Sequence, residues 1–153
     1  MFIVIHVSRV CIKKTTKILK RRFQKRMIKY EGDRTMFLLF GRMHRINGPA
    51  FMSSTLIQWF VKGKEHRQDG PAFISITRFG WVGIIEWWVN GKKHRIDSPA
   101  AIVYFNSGTP HLEQWFINGL KTKEILYLRN KDIISETFFL NGKRIRKQFK
   151  LLN

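Results

Sequence analysis

Three His-Arg pairs are the residues of this chain whose types and spacing could do chemistry. They are His44-Arg45, His66-Arg67 and His94-Arg95, each followed two residues later by an acid or an amide. Histidine serves as a metal ligand and as an acid or base near neutral pH. No carboxylate or thiol is placed to complete a tetrahedral metal site, and the pairs recur at one position of a repeat. A catalytic centre needs different residues converging on one point. We therefore interpret each histidine as a packing and hydrogen-bonding element, and predict no enzyme, cofactor, metal site or small-molecule substrate.

The pairs belong to an internal repeat, which occupies most of the chain. Residues 37–50, 59–72 and 87–100 align without gaps, and shorter copies begin at residues 115 and 138. The last two copies lose the His-Arg half, as terminal repeats do when they cap a stack. The positions that we predict to be structural are Gly41, His44, Arg45, Pro49, Trp59, Gly63, His66, Arg67, Asp69, Pro71, Trp87, Gly91, His94, Arg95, Asp97, Pro99, Trp115, Gly119 and Gly142.

Each copy predicts one β-hairpin. Asn-Gly between apolar segments is typical of a type I′ turn, which needs a positive φ at both central residues. Proline near the end of each full copy closes the returning strand, because proline has no N–H to donate. Turn segments 78–83 and 106–110 absorb the differences in repeat spacing. The predicted fold class is mainly β: an elongated antiparallel meander of about five β-hairpins in a single layer, with an N-terminal basic amphipathic helix.

The arginines and aromatic residues of the repeat carry further expectations. We expect Arg45, Arg67 and Arg95 to pair with Asn47, Asp69 and Asp97, either in the same copy or in a neighbouring one. Neighbouring aromatic residues such as Trp59 and Phe60 must point to opposite faces of a strand. The sequence leaves open whether the second face is core, a partner contact or a nucleobase-stacking platform.

The charge of the chain is concentrated at its N-terminus. The 153 residues include 29 Lys+Arg and 10 Asp+Glu, a net charge of +19, and residues 1–35 hold eleven of the basic residues with two acids. Apolar residues at helical spacing predict a helix at about residues 10–30, after a short strand at residues 2–7. The opposite face of that helix is predicted to face a polyanion through Lys13, Lys14, Lys17, Lys20, Arg21, Lys25 and Lys29. A solvated face, anionic lipid and nucleic-acid phosphate all remain open for it.

Composition limits the class of protein. A hydrophobic content of 44% and an aromatic content of 14% exclude a disordered basic tail. Cys11 is the only cysteine, so the chain has no disulfide framework and no cysteine-based zinc site. We predict two parts, a basic arm over residues 1–35 and a hairpin repeat domain over residues 36–153.

The repeat resembles the MORN-like repeat of viral and phage proteins, whose unit runs Trp-aromatic-x-Asn-Gly-x-x-His-Arg-x-Asp-Gly-Pro-Ala. Residues 59–72 and 87–100 match it almost throughout, and residues 37–50 match it more loosely. The resemblance implies an open single-layer sheet used for contact, and an origin in a large double-stranded DNA virus.

The resemblance and the charge together favour a non-enzymatic structural or scaffolding protein of a virion. We expect a minor capsid component inside the virion, present in host cytoplasm during assembly. Its expected partners are other capsid proteins and an anionic layer, either inner membrane or non-specifically bound genome. The alternative is a soluble regulatory protein-binding module, antitoxin-like or host-factor-binding.

Overall fold

Residues 26–149 form a β-structure without helices in the computed structural model, which describes this part of the chain. The strands in chain order are β1 Arg26–Glu31, β2 Arg34–Leu39, β3 Arg42–Met43, β4 Phe51–Met52, β5 Leu56–Gln58, β6 Phe60–Val61, β7 Lys64–Glu65, β8 Phe73–Ile76, β9 Val82–Glu86, β10 Trp88–Val89, β11 Lys92–Lys93, β12 Ala101–Tyr104, β13 Pro110–Ile117, β14 Leu120–Tyr127, β15 Ile133–Leu140 and β16 Lys143–Phe149.

Twelve of these strands make one antiparallel sheet. Its order is β1-β2-β4-β5-β8-β9-β12-β13-β14-β15-β16, with β3 paired to β2, while β6–β7 and β10–β11 are separate two-stranded hairpins. The strands along this path follow one another in chain order, so each one pairs with the strands that precede and follow it on the path. The predicted mainly β fold and antiparallel meander are thereby confirmed.

The five repeat turns have the geometry that the Asn-Gly pattern predicts. The central residue pairs all have positive φ, from Phe40 at 51° and Gly41 at 74° to Asn141 at 50° and Gly142 at 76°. Positive φ at both positions defines a type I′ turn, whose twist matches that of the flanking strands. Because these turns all join strands running in the same direction, they lie together at one end of the sheet.

The sheet encloses little apolar volume. Ala50, Ala72 and Ala100 are fully buried, yet within residues 26–149 no large side chain is fully buried. Each of these alanines is bonded through its backbone on both sides; Ala72 donates to Glu86 O and accepts from Trp59 N, both at 2.8 Å. The sheet therefore has two half-exposed faces and no second layer over the described residues.

Isoleucines stabilise the centre of the sheet. Ile57, Ile74, Ile85 and Ile102 stand directly opposite one another on consecutive strands of the sheet. Side chains opposite one another in antiparallel strands are in contact on one face. Ile102, at 8% exposed, is the most buried of the four.

The predicted helix is wrong over residues 26–30, which belong to β1. Tyr30 pairs with Thr35 and Ile28 with Phe37 in regular antiparallel register. Gly32 has a φ of 60° and lies in the turn that joins β1 to β2. The strand β2 supplies backbone hydrogen-bond partners for residues 26–30, and the spacing of apolar residues in the sequence does not reveal these partners. The predicted helix over residues 10–25 and the strand at residues 2–7 lie outside the described residues.

Candidate polyanion-binding ridge

The histidine of each full repeat fastens one hairpin to the next. His44 Nδ1 accepts a hydrogen bond from Lys62 N at 3.0 Å, His66 Nδ1 from Asn90 N at 3.1 Å, and His94 Nδ1 from Asn118 N at 3.1 Å. The donor in each case is the first central residue of the next type I′ turn. An Nδ1 that accepts is unprotonated, so each imidazole is neutral in this arrangement with its proton on Nε2. The sequence predicts that each histidine is a hydrogen-bonding element of its own hairpin, whereas the bonds observed reach the next hairpin.

These three histidines do not converge. Each serves a different turn, and residues 26–149 contain no group of three His, Cys, Asp or Glu side chains that could hold a metal ion. That part of the chain also contains no helix long and apolar enough to cross a membrane.

The arginine of each full repeat lies over the first aromatic residue of its own hairpin. The guanidinium carbons of Arg45, Arg67 and Arg95 lie 3.9, 4.2 and 3.8 Å from the ring centroids of Phe37, Trp59 and Trp87. Each arginine also donates from Nη1 to the carbonyl oxygen of the proline four residues later, at 3.2 to 3.3 Å. Such a cation–π contact favours the planar guanidinium of arginine over lysine.

The predicted pairing of these arginines with an acid or amide is found in the second copy only, among the residues described. Arg67 Nε donates to Asp69 Oδ1 at 2.9 Å, and this bond lowers the pKa of Asp69 below its ordinary value. In the other two copies the arginine bonds its proline carbonyl. The arrangement that all three arginines share is the bond to the proline carbonyl oxygen. This backbone acceptor is present whichever side chain occupies the position of Asn47, Asp69 or Asp97.

The second aromatic of each hairpin lies on the other face, interleaved with lysines. Lys93 Nζ is 5.4 Å from the ring centroids of both Trp88 and Phe116, and Lys121 Nζ is 5.8 and 5.2 Å from those of Phe116 and Phe139. The aromatics of the repeat therefore occupy both faces, as strand alternation requires.

Half-buried acids neutralise these lysines. Glu86 binds Lys93 Nζ at 2.7 Å and Glu124 binds Lys121 Nζ at 2.7 Å, while Lys123 on the opposite face binds Glu136 at 2.6 Å. Burial, with a smaller contribution from the Glu86 carboxylate, raises the pKa of Glu65, which accepts a hydrogen bond from Gln58. All ten acids of the chain lie within residues 26–149, and three of them form the ion pairs with Lys93, Lys121 and Lys123 on the two faces of the sheet.

A row of exposed cations lies at the end of the sheet that carries the type I′ turns. We call this set the turn ridge; its members are Arg42, Lys62, Lys64, Lys92 and Lys143. The turn residues 40–42, 62–64, 90–92, 118–120 and 141–143 include no acid. None of the five cations takes part in a salt bridge within the described residues. The ridge is therefore a row of one sign of charge.

From Arg42 to Lys92 the ridge is continuous, because the basic stem of each hairpin lies against the next turn. A Cβ atom at Gly63 would lie 3.4 Å from Arg42 Cβ, one at Gly91 3.6 Å from Lys64 Cβ, and one at Gly119 3.5 Å from Lys92 Cβ. The aliphatic stems cover the glycines, and the charged heads extend toward water. Successive hairpins are two strands apart, which spaces Arg42, Lys64 and Lys92 by about 10 Å. Lys143 lies two hairpins beyond Lys92 because Leu120 occupies the fourth copy.

Sequence reasoning assigned the polyanion contact to the arm and missed the ridge. Of the predicted arm cations, the structure describes Lys29 alone, which lies in β1 and pairs with Glu31. The signal for the ridge was available in the alignment of the copies: a basic residue follows the turn glycine in four of the five copies, and Leu120 is the exception.

Comparison with protein-family models, curated proteins and solved structures finds no match to this chain.

Proposed function

We propose that this chain is a non-enzymatic repeat scaffold whose turn ridge docks on a polyanionic surface. The observation that carries the proposal is the row of five exposed cations without an acid at one end of the sheet. Such a row attracts phosphate or anionic headgroups without needing a base-reading element, and its binding weakens as salt rises.

The setting that we propose is the interior of a virion, with the protein a minor capsid component made in host cytoplasm. The MORN-like resemblance supports the viral origin, and the net charge of +19 supports an anionic layer as one neighbour. Other capsid proteins are the proposed second neighbour, since a sheet with two half-exposed faces offers apolar area to a protein.

Matched charge variants test the role of the ridge. The variant Arg42→Gln/Lys64→Gln/Lys92→Gln removes three ridge cations, and Arg78→Gln/Arg129→Gln/Lys131→Gln removes three exposed cations from turns at the other end of the sheet. We expect the ridge variant alone to lower the slope of log K against log salt, by about 2 to 3, on a DNA duplex. Vesicles containing phosphatidylserine serve as the second probe. Equal weakening by both variants on both probes would refute the ridge.

Fractionation tests the virion setting separately. The protein should co-sediment with purified particles and stay with them after protease treatment of their outer surface. Presence in infected-cell extract and absence from particles would overturn the structural role while leaving polyanion binding intact.

A soluble regulatory protein-binding module is the second candidate, and an exposed aromatic turn favours it. Phe79 and Trp81 are 62% and 57% exposed between β8 and β9, where the equivalent turn after β12 carries Ser107 and Thr109. Large aromatic residues are enriched at the centres of protein interfaces. This candidate predicts a stoichiometric complex with one acidic protein that survives moderate salt and is lost in Phe79→Ser/Trp81→Thr.

A further inference from the structure

Within the part of the chain that the structure describes, the sheet ends at β16 with an open edge. All seven residues of β16 are exposed, and β15 is its only neighbour within residues 26–149. In an antiparallel pair alternate residues bond inward, so the other backbone N–H and C=O groups of β16 face outward. Exposed edges of this kind accept a further strand.

An earlier hairpin of the same chain shows what such an edge accepts. The hairpins β13–β14 and β15–β16 both turn at Asn-Gly, and both shift register by one residue directly after the first aromatic, at Trp115 and at Phe138. Trp115 pairs with Lys123 as Phe138 pairs with Arg146. The stretch of β14 from Lys123 is therefore equivalent to the stretch of β16 from Arg146.

The stretch of β14 that begins at Lys123 pairs with β15. Lys123 stands opposite Phe138, Glu124 opposite Thr137 and Ile125 opposite Glu136. Lys123 Nζ binds the diagonal carboxylate of Glu136 at 2.6 Å and lies 5.7 Å from the Phe138 ring centroid. The internal ligand of such an edge is thus an extended strand with an acid two residues before an aromatic.

We propose that the outer edge of β16 binds an extended acidic segment of a partner protein, antiparallel, in the way that β14 binds β15. Arg146 takes the place of Lys123, so it meets an aromatic directly and an acid diagonally. Lys147 takes the place of Glu124, which reverses the charge and favours a second acid in the middle position. The matching segment reads acid-acid-aromatic.

Charge selects such a partner over a second copy of this chain. β16 carries Lys143, Arg144, Arg146 and Lys147 without an acid. The strand at the other edge of the sheet, β1, contributes Arg26 and Lys29, and Lys29 already pairs with the only acid of that strand, Glu31. Edge-to-edge pairing of two copies would therefore bring like charges together, which opposes it.

Peptide binding to the full chain tests the proposal. The probe is a fluorescent peptide, Ile-Ile-Ser-Glu-Glu-Phe-Phe-Leu, which is the β15 sequence with glutamate in the middle position. Its binding is compared with that of the same peptide carrying N-methyl groups on alternate residues, which removes the backbone donors and leaves the charge. We expect binding at least about tenfold weaker for the methylated peptide, with amide-exchange protection gained at residues 146–149. Equal affinity of the two peptides, or protection elsewhere, would overturn the proposal.

A charge exchange distinguishes strand pairing from attraction to the basic chain as a whole. Arg146→Glu should weaken the peptide by about tenfold and regain affinity for a peptide with lysine in place of the diagonal glutamate. Arg78→Glu, which makes the same change far from β16, should leave both affinities nearly unchanged. Loss without recovery would count against the pairing, as would growth of chains of copies joined through β16 in sedimentation.

Discussion

At the scale of single residues, the same small set of side chains performs the same task in each copy. Histidine holds the next turn, arginine covers an aromatic and bonds a proline carbonyl, and alanine fits where no larger side chain has room. The first task depends on the histidine Nδ1 acceptor, the second on the aromatic ring beneath the arginine, and the third on the small volume of alanine. Single substitutions can therefore test each contribution to stability separately.

Replacing His66 separates its hydrogen bond from its bulk. In His66→Asn the amide oxygen can take the place of Nδ1 and accept from Asn90 N, whereas His66→Leu keeps apolar volume and leaves that N–H without its acceptor. We expect the leucine variant to lose about 1 to 2 kcal/mol in the free energy of unfolding and the asparagine variant less than half of that. Urea denaturation measures both; equal losses would show that the hydrogen bond is not what matters.

Glu65 should make the protein less stable at neutral pH than it is when this side chain is protonated. Its pKa is raised in the folded state by burial and by Glu86, so the folded state holds the proton more tightly than the unfolded state. Stability contributed by protonation is therefore lost as pH rises through the raised pKa. Glu65→Gln, which still accepts from Gln58, should be more stable than the parent at pH 7 and equal to it below about pH 4.

Asp69 should show the opposite sign. Its pKa is lowered by the bond from Arg67, so its contribution to stability is present above the ordinary pKa of aspartate and is lost as pH falls through the lowered value. Asp69→Asn should be less stable than the parent at pH 7, with the difference vanishing in acid. A thermal unfolding series from pH 2 to 7 tests both carboxylates; a difference that grows toward acid would contradict this assignment.

At the scale of the hairpin, the type I′ turn tolerates residues that suit it poorly. Lys62 has a φ of 52° in a position where three other copies have asparagine. Left-handed backbone costs a lysine more than an asparagine, whose short side chain can bond locally. Lys62→Asn should therefore raise the free energy of unfolding by about 0.5 to 1 kcal/mol. Gly91→Val, at a φ of 78°, should lower it, and the reverse order in denaturant midpoints would refute the turn argument.

At the scale of the whole molecule, stability should decline from the centre of the sheet to its edges. The buried residues run from Ala50 beside β4 to Thr137 in β15, whereas β16 is exposed throughout and β1 at all but one of its residues. A repeat array buries each unit only against its neighbours, so the end strands open first. Amide exchange should be slowest in β9 and β12 and fastest in β1 and β16. Uniform protection would indicate a single cooperative unit instead.

Local turn chemistry was enough to predict the repeat, its hairpins and the glycines at their turns. Turn chemistry is local: a positive φ at two adjacent residues needs only those residues, and copies in register force their neighbours into one meander. The insertions predicted at residues 78–83 and 106–110 contain the turns at residues 78–80 and 106–109 and extend into the first residues of β9 and β13.

The strand formed by residues 26–30 and the pairing of individual cations depend on contacts that exist only in the folded sheet. Helical spacing of Met27 and Tyr30 is a local signal, but the backbone donors of a neighbouring edge outweigh it once β2 is in place. Lys93, Lys121 and Lys123 are neutralised by acids that only strand register brings beside them, while Arg42, Lys64 and Lys92 project from turns that no acid reaches. Charge counts are properties of the chain, whereas charge pairing depends on distances that folding creates.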